Sequence, residues 1–205
     1  MGEGLLVMEP DSILAHVIGV EDLVVVRNLE TAFEEETKTC SACRGYASKA
    51  DVDGFPGIAS LFRATARAEQ IHAENHARVL RHMRGSTNIP APNPEIESTF
   101  ENLRSALVDQ RFEVDYLYPA FLTKAVSLFD STAIRTFHWA LEADKSHVRL
   151  YADVISRVSW DGKPGWAQQE HSFFVCALCG YTAINPESEN CPSCNLLWER
   201  FEAIH

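Results

Sequence analysis

The sequence predicts an all-α four-helix bundle followed by a small C-terminal metal-knuckle domain. Three observations predict it: four stretches with helical apolar spacing, a carboxylate in the middle of each apolar stripe, and two Cys-x-x-Cys pairs near the C-terminus. At 205 residues the chain has room for one ordinary domain and a small appendage. An apolar fraction of 46% supports a real core, and a net charge of −11 argues against a nucleic-acid backbone or an anionic membrane as partner. The stretch from Leu5 to Val26 is broken by Glu9, Pro10, Asp11, Glu21 and Asp22, so it reads neither as a membrane span nor as a secretory segment. The expected compartment is therefore the reducing cytoplasm, where six cysteines point to metal or redox chemistry before disulfides.

The four helical stretches cover residues 27–50, 57–84, 97–128 and 131–158. Asp53-Gly54-Phe55-Pro56-Gly57 divides the first pair, and the Pro- and Asn-rich segment Gly85–Pro94 divides the second stretch from the third. Residues 1–27 are left as an N-terminal extension without an assigned role. Residues 28–158 form the bundle, 159–172 a linker, and 173–205 the cysteine module.

Each stripe would face the bundle interior. The first runs Leu29, Phe33, Glu36, Cys40, Cys43, Ala47, and the second Ile58, Leu61, Phe62, Thr65, Glu69, His72, His76, Leu80. The third runs Leu103, Leu107, Gln110, Glu113, Leu117, Phe121, and the fourth Ile134, Phe137, Leu141, Asp144, His147, Tyr151. An ionised carboxylate in a bundle core is costly unless it is paired or bound to a metal. Glu69/His72 and Asp144/His147 are both acid-x-x-His pairs, a spacing that puts two side chains on one helix face. Glu36 precedes Glu69 by about one hairpin, and Glu113 likewise precedes Asp144, so antiparallel pairing brings all six groups to one level. A lone Glu-x-x-His usually means nothing. Two of them on apolar stripes, each matched by a carboxylate one hairpin earlier, fit the ligand plan of two-metal carboxylate bundles. Glu34 and Glu35 lie off the stripe and are expected to be solvated, and His76 is expected to be a core or supporting histidine. His16, His82, His138, His171 and His205 have no pattern to support a role.

Cys176-Ala-Leu-Cys179-Gly180 and Cys191-Pro-Ser-Cys194-Asn195 form a tetrahedral thiolate signal, with Gly180 and Asn195 suited to the left-handed backbone of a metal knuckle. Spacing alone leaves zinc and iron open. The aromatic shell of Phe174, Tyr181, Trp198 and Phe201, with a redox bundle beside it, tilts the choice to iron.

Both halves together resemble the rubrerythrin family (rubrerythrin- and nigerythrin-like chains), a ferritin-like bundle followed by a rubredoxin-like domain. The resemblance rests on Asn28-Leu29 through Phe33 and Glu36, Gly54-Phe55, Ala68-Glu69 through His72-Ala73, Glu113 through Tyr118-Pro119 and Phe121, Asp144 through His147, and the cysteine block. It covers about residues 28–205. It implies a non-haem di-iron peroxidase that reduces hydrogen peroxide to water with electrons passed through the rubredoxin-type iron. It also implies an electron-donating reductase or rubredoxin as partner. Carried over by position, Glu36, Glu69, His72, Glu113 and His147 hold two irons, and Cys176, Cys179, Cys191 and Cys194 hold a third, with zinc as the alternative there. His72 and Glu113 match a pair between which one iron moves.

Three positions depart from the pattern. Gln110 stands where a Glu is usual and removes one negative charge, and Asp144 stands for a bridging Glu with a longer reach. Cys43, one turn after Cys40, replaces a common Tyr; the plainer reading of the two is small core residues, the sharper a redox-active thiol pair. Gln110, Cys40, Cys43 and Tyr118 stand as supporting residues. The two centres of one chain are expected to lie too far apart for fast transfer, which implies a head-to-tail homodimer. Competing readings are a ferroxidase or iron-handling protein, and a sensor module with a structural zinc ribbon.

Overall fold

The computed structural model describes residues 20–90, 92–158, 165–185 and 188–205. Four long rods form the bundle. Helix α1 spans Val20–Val52 and α2 spans Pro56–His82. They are joined by a tight turn in which Gly54 has φ +81° and Phe55 N–H bonds the Ala50 carbonyl at 2.8 Å. Pro56 opens α2 where a missing amide costs nothing. The third rod is built of α3, Thr99–Phe112, a π-helical turn at Glu113–Leu117, and α4, Tyr118–Ser127. Helix α5 spans Ser131–Arg157 and is capped by Asp130, whose carboxylate accepts from the Thr132 and Ala133 amides.

Four predicted helical stretches are thus four rods, with two differences. The first begins at Val20 rather than near residue 27, and it buries Val25 and Val26, both assigned in advance to the extension. Residues 1–19, which hold the rest of that extension and His16, lie outside the described residues. The third rod is not one uninterrupted α-helix. Pro119 has no amide to offer the Asp115 carbonyl and its ring crowds that oxygen. The ladder widens there, and the Tyr118 amide reaches back to the Glu113 carbonyl instead.

Two apolar clusters fill the bundle. One gathers Ile58, Leu61, Phe62, Leu103 and Tyr151; the other gathers Leu29, Leu80, Tyr118, Phe137 and Leu141. Every rod passes from one cluster to the other, and its stripe carboxylate sits at the crossing: Glu36 between Leu29 and Cys43, Glu69 between Phe62 and Leu80, Asp144 between Leu141 and Tyr151. Among the described residues no helix is long and apolar enough to cross a membrane.

The C-terminal module is a three-stranded antiparallel sheet in the order β2-β1-β3, with β1 at Phe173–Cys176, β2 at Thr182–Ala183 and β3 at Phe201–Ile204. Both knuckles have the expected backbone. Gly180 (φ +78°) sends its amide to the Cys176 carbonyl, and Asn195 (φ +62°) sends its amide to the Cys191 carbonyl, each at 2.9 Å. Of the expected linker, residues 159–164 lie outside the described set. The remainder is not a loose tether: Trp166 stacks on His171 with centroids 3.9 Å apart, and Ala167 is buried.

The module packs on the bundle of its own chain. Phe173 and Val175 join the Ile58/Phe62 cluster. Arg67 grips Glu202 with two bonds of 2.7 Å, and Asn75 Nδ2 donates to the Leu178 carbonyl at 2.8 Å. Gly180 lies so close to the His72 ring and the Ala68 carbonyl that a methyl group there would collide with both. Gly180→Ala, strained in φ and overpacked at once, is expected to cost about 1–3 kcal/mol. Chemical denaturation followed by tryptophan fluorescence checks this; an unchanged midpoint would refute the close packing.

Candidate metal centre

The helical spacing does what the sequence led us to expect. Glu36, Glu69, Glu113, Asp144, His72 and His147 are all buried at one level of the bundle. Their ligating atoms fall into two triads, Glu36–His72–Asp144 and Glu69–Asp144–His147, each with its atoms within 4.8 Å of one another. Asp144 belongs to both. Glu69 belongs to one and approaches the other, with Oε2 2.8 Å from His72 Nδ1. Glu113 belongs to neither and is tied in through Gln110, whose Nε2 donates to Glu113 Oε2 at 2.7 Å.

Burying this much negative charge has visible consequences. Burial, with the Asp144 and Glu36 charges, lifts Glu113 well above the usual carboxylate range. Burial likewise raises Asp144 to about 7. For Glu36 burial pushes upward, but the His72 charge and the nearby His72 and His76 imidazoles outweigh it and hold the group low. Burial disfavours a charged His147, yet Asp144 and Glu69 lift it to about 9. The cluster therefore neutralises itself with protons held on imidazoles and on some of its acids. Even so, Glu36 Oε2 and both oxygens of Asp144 find no hydrogen-bond donor. Buried anionic oxygens without donors are costly unless a cation takes the donor's place. Three orphaned oxygens, two of them on the residue common to both triads, fit a pair of hard divalent cations.

A second layer orients this set. Tyr118 donates its hydroxyl to Glu36 Oε1, and His76 Nε2 lies 3.1 Å from the same hydroxyl while its Nδ1 meets Thr136 Oγ1 at 3.0 Å. His76 is thus a buried supporting histidine, in keeping with its sequence reading. Thr136 was not foreseen; one threonine beside an apolar stripe carries no signal by itself. Burial raises the Cys40 thiol to about 11 and holds the Cys43 thiol well above its ordinary range, and Cys43 Sγ rests 3.8 Å from the Tyr151 hydroxyl. Two neutral, buried thiols suit the plainer reading of that pair. Glu34 and Glu35 are solvated and paired with Lys38.

The four cysteines of the module also converge, with Cys176 and Cys194 sulfurs 3.5 Å apart and Cys179 and Cys191 sulfurs at the same separation. Hydrogen bonds among the sulfurs lower Cys176 and Cys191 and raise Cys179 and Cys194. Four sulfurs this close share protons poorly, and together they could hold a tetrahedral cation as thiolates.

The expected separation of the two centres within one chain is not what the structure shows. His72 Nε2 bonds the Cys179 carbonyl at 3.1 Å while its Nδ1 faces Glu69, Glu36 and Asp144 at 2.8, 3.3 and 3.7 Å. One imidazole spans the gap. Beside it His147 Nε2 meets Thr182 Oγ1 at 3.1 Å, and Ser146 Oγ accepts from the Thr182 amide at the same distance. A main-chain carbonyl partner a hundred residues away leaves no trace in sequence spacing.

A family model described as Rubrerythrin matches residues 27–155. Rubrerythrin-2 of Clostridium acetobutylicum is 28% identical over 91% of this chain and 100% of its own length. The structure titled as the fully reduced, all-ferrous state of nigerythrin is similar with a TM-score of 0.77 and 29% identity, covering 87% of this chain and 86% of that one. A Mycobacterium tuberculosis bacterioferritin shares the bundle fold, with a TM-score of 0.60 and 16% identity over 65% of this chain and 84% of its own.

Neutralising one orphaned anion separates stability from ion binding. Metal-free Asp144→Asn is expected to gain about 1–3 kcal/mol over the native chain, because it removes charge without donors. The same variant should take up less ferrous or zinc ion in the bundle. Melting curves with and without a chelator, together with metal analysis, read both; undiminished uptake would remove Asp144 from the shared position.

Proposed function

The chain belongs to the rubrerythrin family, and on that footing we propose that it is a non-haem di-iron peroxidase that reduces hydrogen peroxide to water. The observation that supports this most is the His72 junction, which joins the carboxylate cluster to the four-cysteine knuckle through one side chain. Iron storage has no use for such a link. A peroxidase needs it, because each peroxide consumes two electrons and two protons to give two waters.

Glu36, Glu69, His72, Glu113, Asp144 and His147 would hold two irons, and Cys176, Cys179, Cys191 and Cys194 a third. Bound there, the iron pair supplies Lewis acidity toward both peroxide oxygens and one electron from each metal. The protein does the rest. A cavity of about 690 Å³, walled by Glu35, Lys38, Tyr46, Asp109 and Phe112, reaches Glu113 and gives a small polar oxidant a way in. The apolar clusters on either side keep bulk water from the remaining ligands. The Tyr118 hydroxyl, held between Glu36 Oε1 and His76 Nε2, stores a proton at the edge of the cluster. His72 keeps the Cys179 carbonyl and the carboxylates in register, so electrons cross between the modules along one imidazole. The His72 contact lies within a single chain, and the homodimer expected from the family resemblance stands beside it as a proposal. The electron donor that reloads the cysteine iron is an external reductase or rubredoxin.

Anaerobically reduced, iron-loaded protein mixed with peroxide tests this directly. The visible absorption of ferric four-cysteine iron should return within the stopped-flow time range as peroxide disappears, and His72→Ala should slow that return by about tenfold or more while leaving the knuckle's own spectrum intact. Reduced protein that stays colourless in excess peroxide would end the peroxidase reading.

A further inference from the structure

One side chain inside the carboxylate cluster is an amide, which no proton or pH change can charge. Gln110 is 1% exposed, and both its nitrogen and its oxygen are engaged within the site. Its Nε2 donates to Glu69 Oε1 at 2.9 Å and to Glu113 Oε2 at 2.7 Å, and its Oε1 lies 2.8 Å from His147 Nδ1. The partners come from α2, the π turn and α5, so one amide fastens three rods at the level of the acids. Only an amide can do this. A carboxylate has no hydrogens for Glu69 and Glu113 and would add like charge against both; an aliphatic group would leave three buried polar atoms without partners.

The same neutrality fixes the charge of the cavity. Fully ionised, Glu36, Glu69, Glu113 and Asp144 carry four negative charges, which two divalent cations match. Each electron withdrawn from such a pair would leave a positive charge beyond what these four carboxylates match, and in a dry interior that surplus is costly.

We propose that Gln110 is a positioning residue that holds the metal-free cluster together and, by staying neutral, biases the bound metal pair toward the divalent state. The inference rests on the di-iron reading of the site. It assigns this chain irons that hold their electrons more firmly than a fifth carboxylate would allow, and so stay reduced until an oxidant reaches them.

Redox titration of full-length, iron-loaded protein tests it, with the four-cysteine iron as an internal reference. Gln110→Glu should move the bundle irons' midpoint downward, raising the ferric-to-ferrous ratio at the native midpoint by about tenfold or more, while the cysteine iron stays put. Metal-free Gln110→Glu should melt below the native chain and gain more from added metal. Gln110→Leu, neutral and unable to bond, should also lose metal-free stability but show no downward shift. A Gln110→Glu midpoint that is unmoved or raised overturns the proposal, as does a Leu variant that falls as far as the Glu variant. A native chain that binds no metal pair overturns the di-iron reading itself, and this inference with it.

Discussion

Four acids meet where two oily clusters abut, and most of the architecture answers to that fact. A bundle of this size could be sealed with leucine at every crossing. Instead Glu36, Glu69, Glu113 and Asp144 occupy the waist, and the apolar side chains are divided into a group above and a group below. Without a cation, the charge is damped by protons on His72 and His147 and by donors from Gln110 and Tyr118, and three oxygens are still left over. Such a core is less stable than an all-hydrocarbon one of the same volume. Its persistence in the sequence of every rod is what a binding site looks like from the side of stability.

The geometry also explains why the helices are not interchangeable. Helices α2 and α5 each give an acid and a histidine from one face, α1 gives a single glutamate, and the third rod gives its acid from the turn where Pro119 breaks the ladder. A widened turn rotates the side chains that follow it. Glu113 lies at the start of that turn, at the inner end of the surface cavity, whereas the other acids lie within regular helix.

Much of this was legible in the residues, and the limits are instructive. Stripes at helical spacing identify which faces point inward, because burial is periodic; an acid on a stripe is therefore an acid in the core. Cysteine pairs with Gly180 and Asn195 behind them read directly as knuckles, since few residues accept that backbone. What spacing cannot carry is contact between distant elements. The bond from His72 to the Cys179 carbonyl, the chain from Thr136 through His76 to Tyr118, and the threefold grip of Gln110 all depend on how rods dock. Gln110 was visible as a missing charge but not as a fastening. The start of α1 at Val20 was not read from the sequence, where the stripe was followed only from Leu29 onward.

The shared imidazole has a thermodynamic corollary. His72 presents one nitrogen to the acids and the other to the cysteine knuckle, so its ring orientation is a variable common to both pockets. An ion that fixes the ring from one side changes the free energy of filling the other, and reciprocity requires the effect to be equal in both directions. Filling order thus becomes a property of the molecule, with a partly loaded chain differing from the sum of its halves.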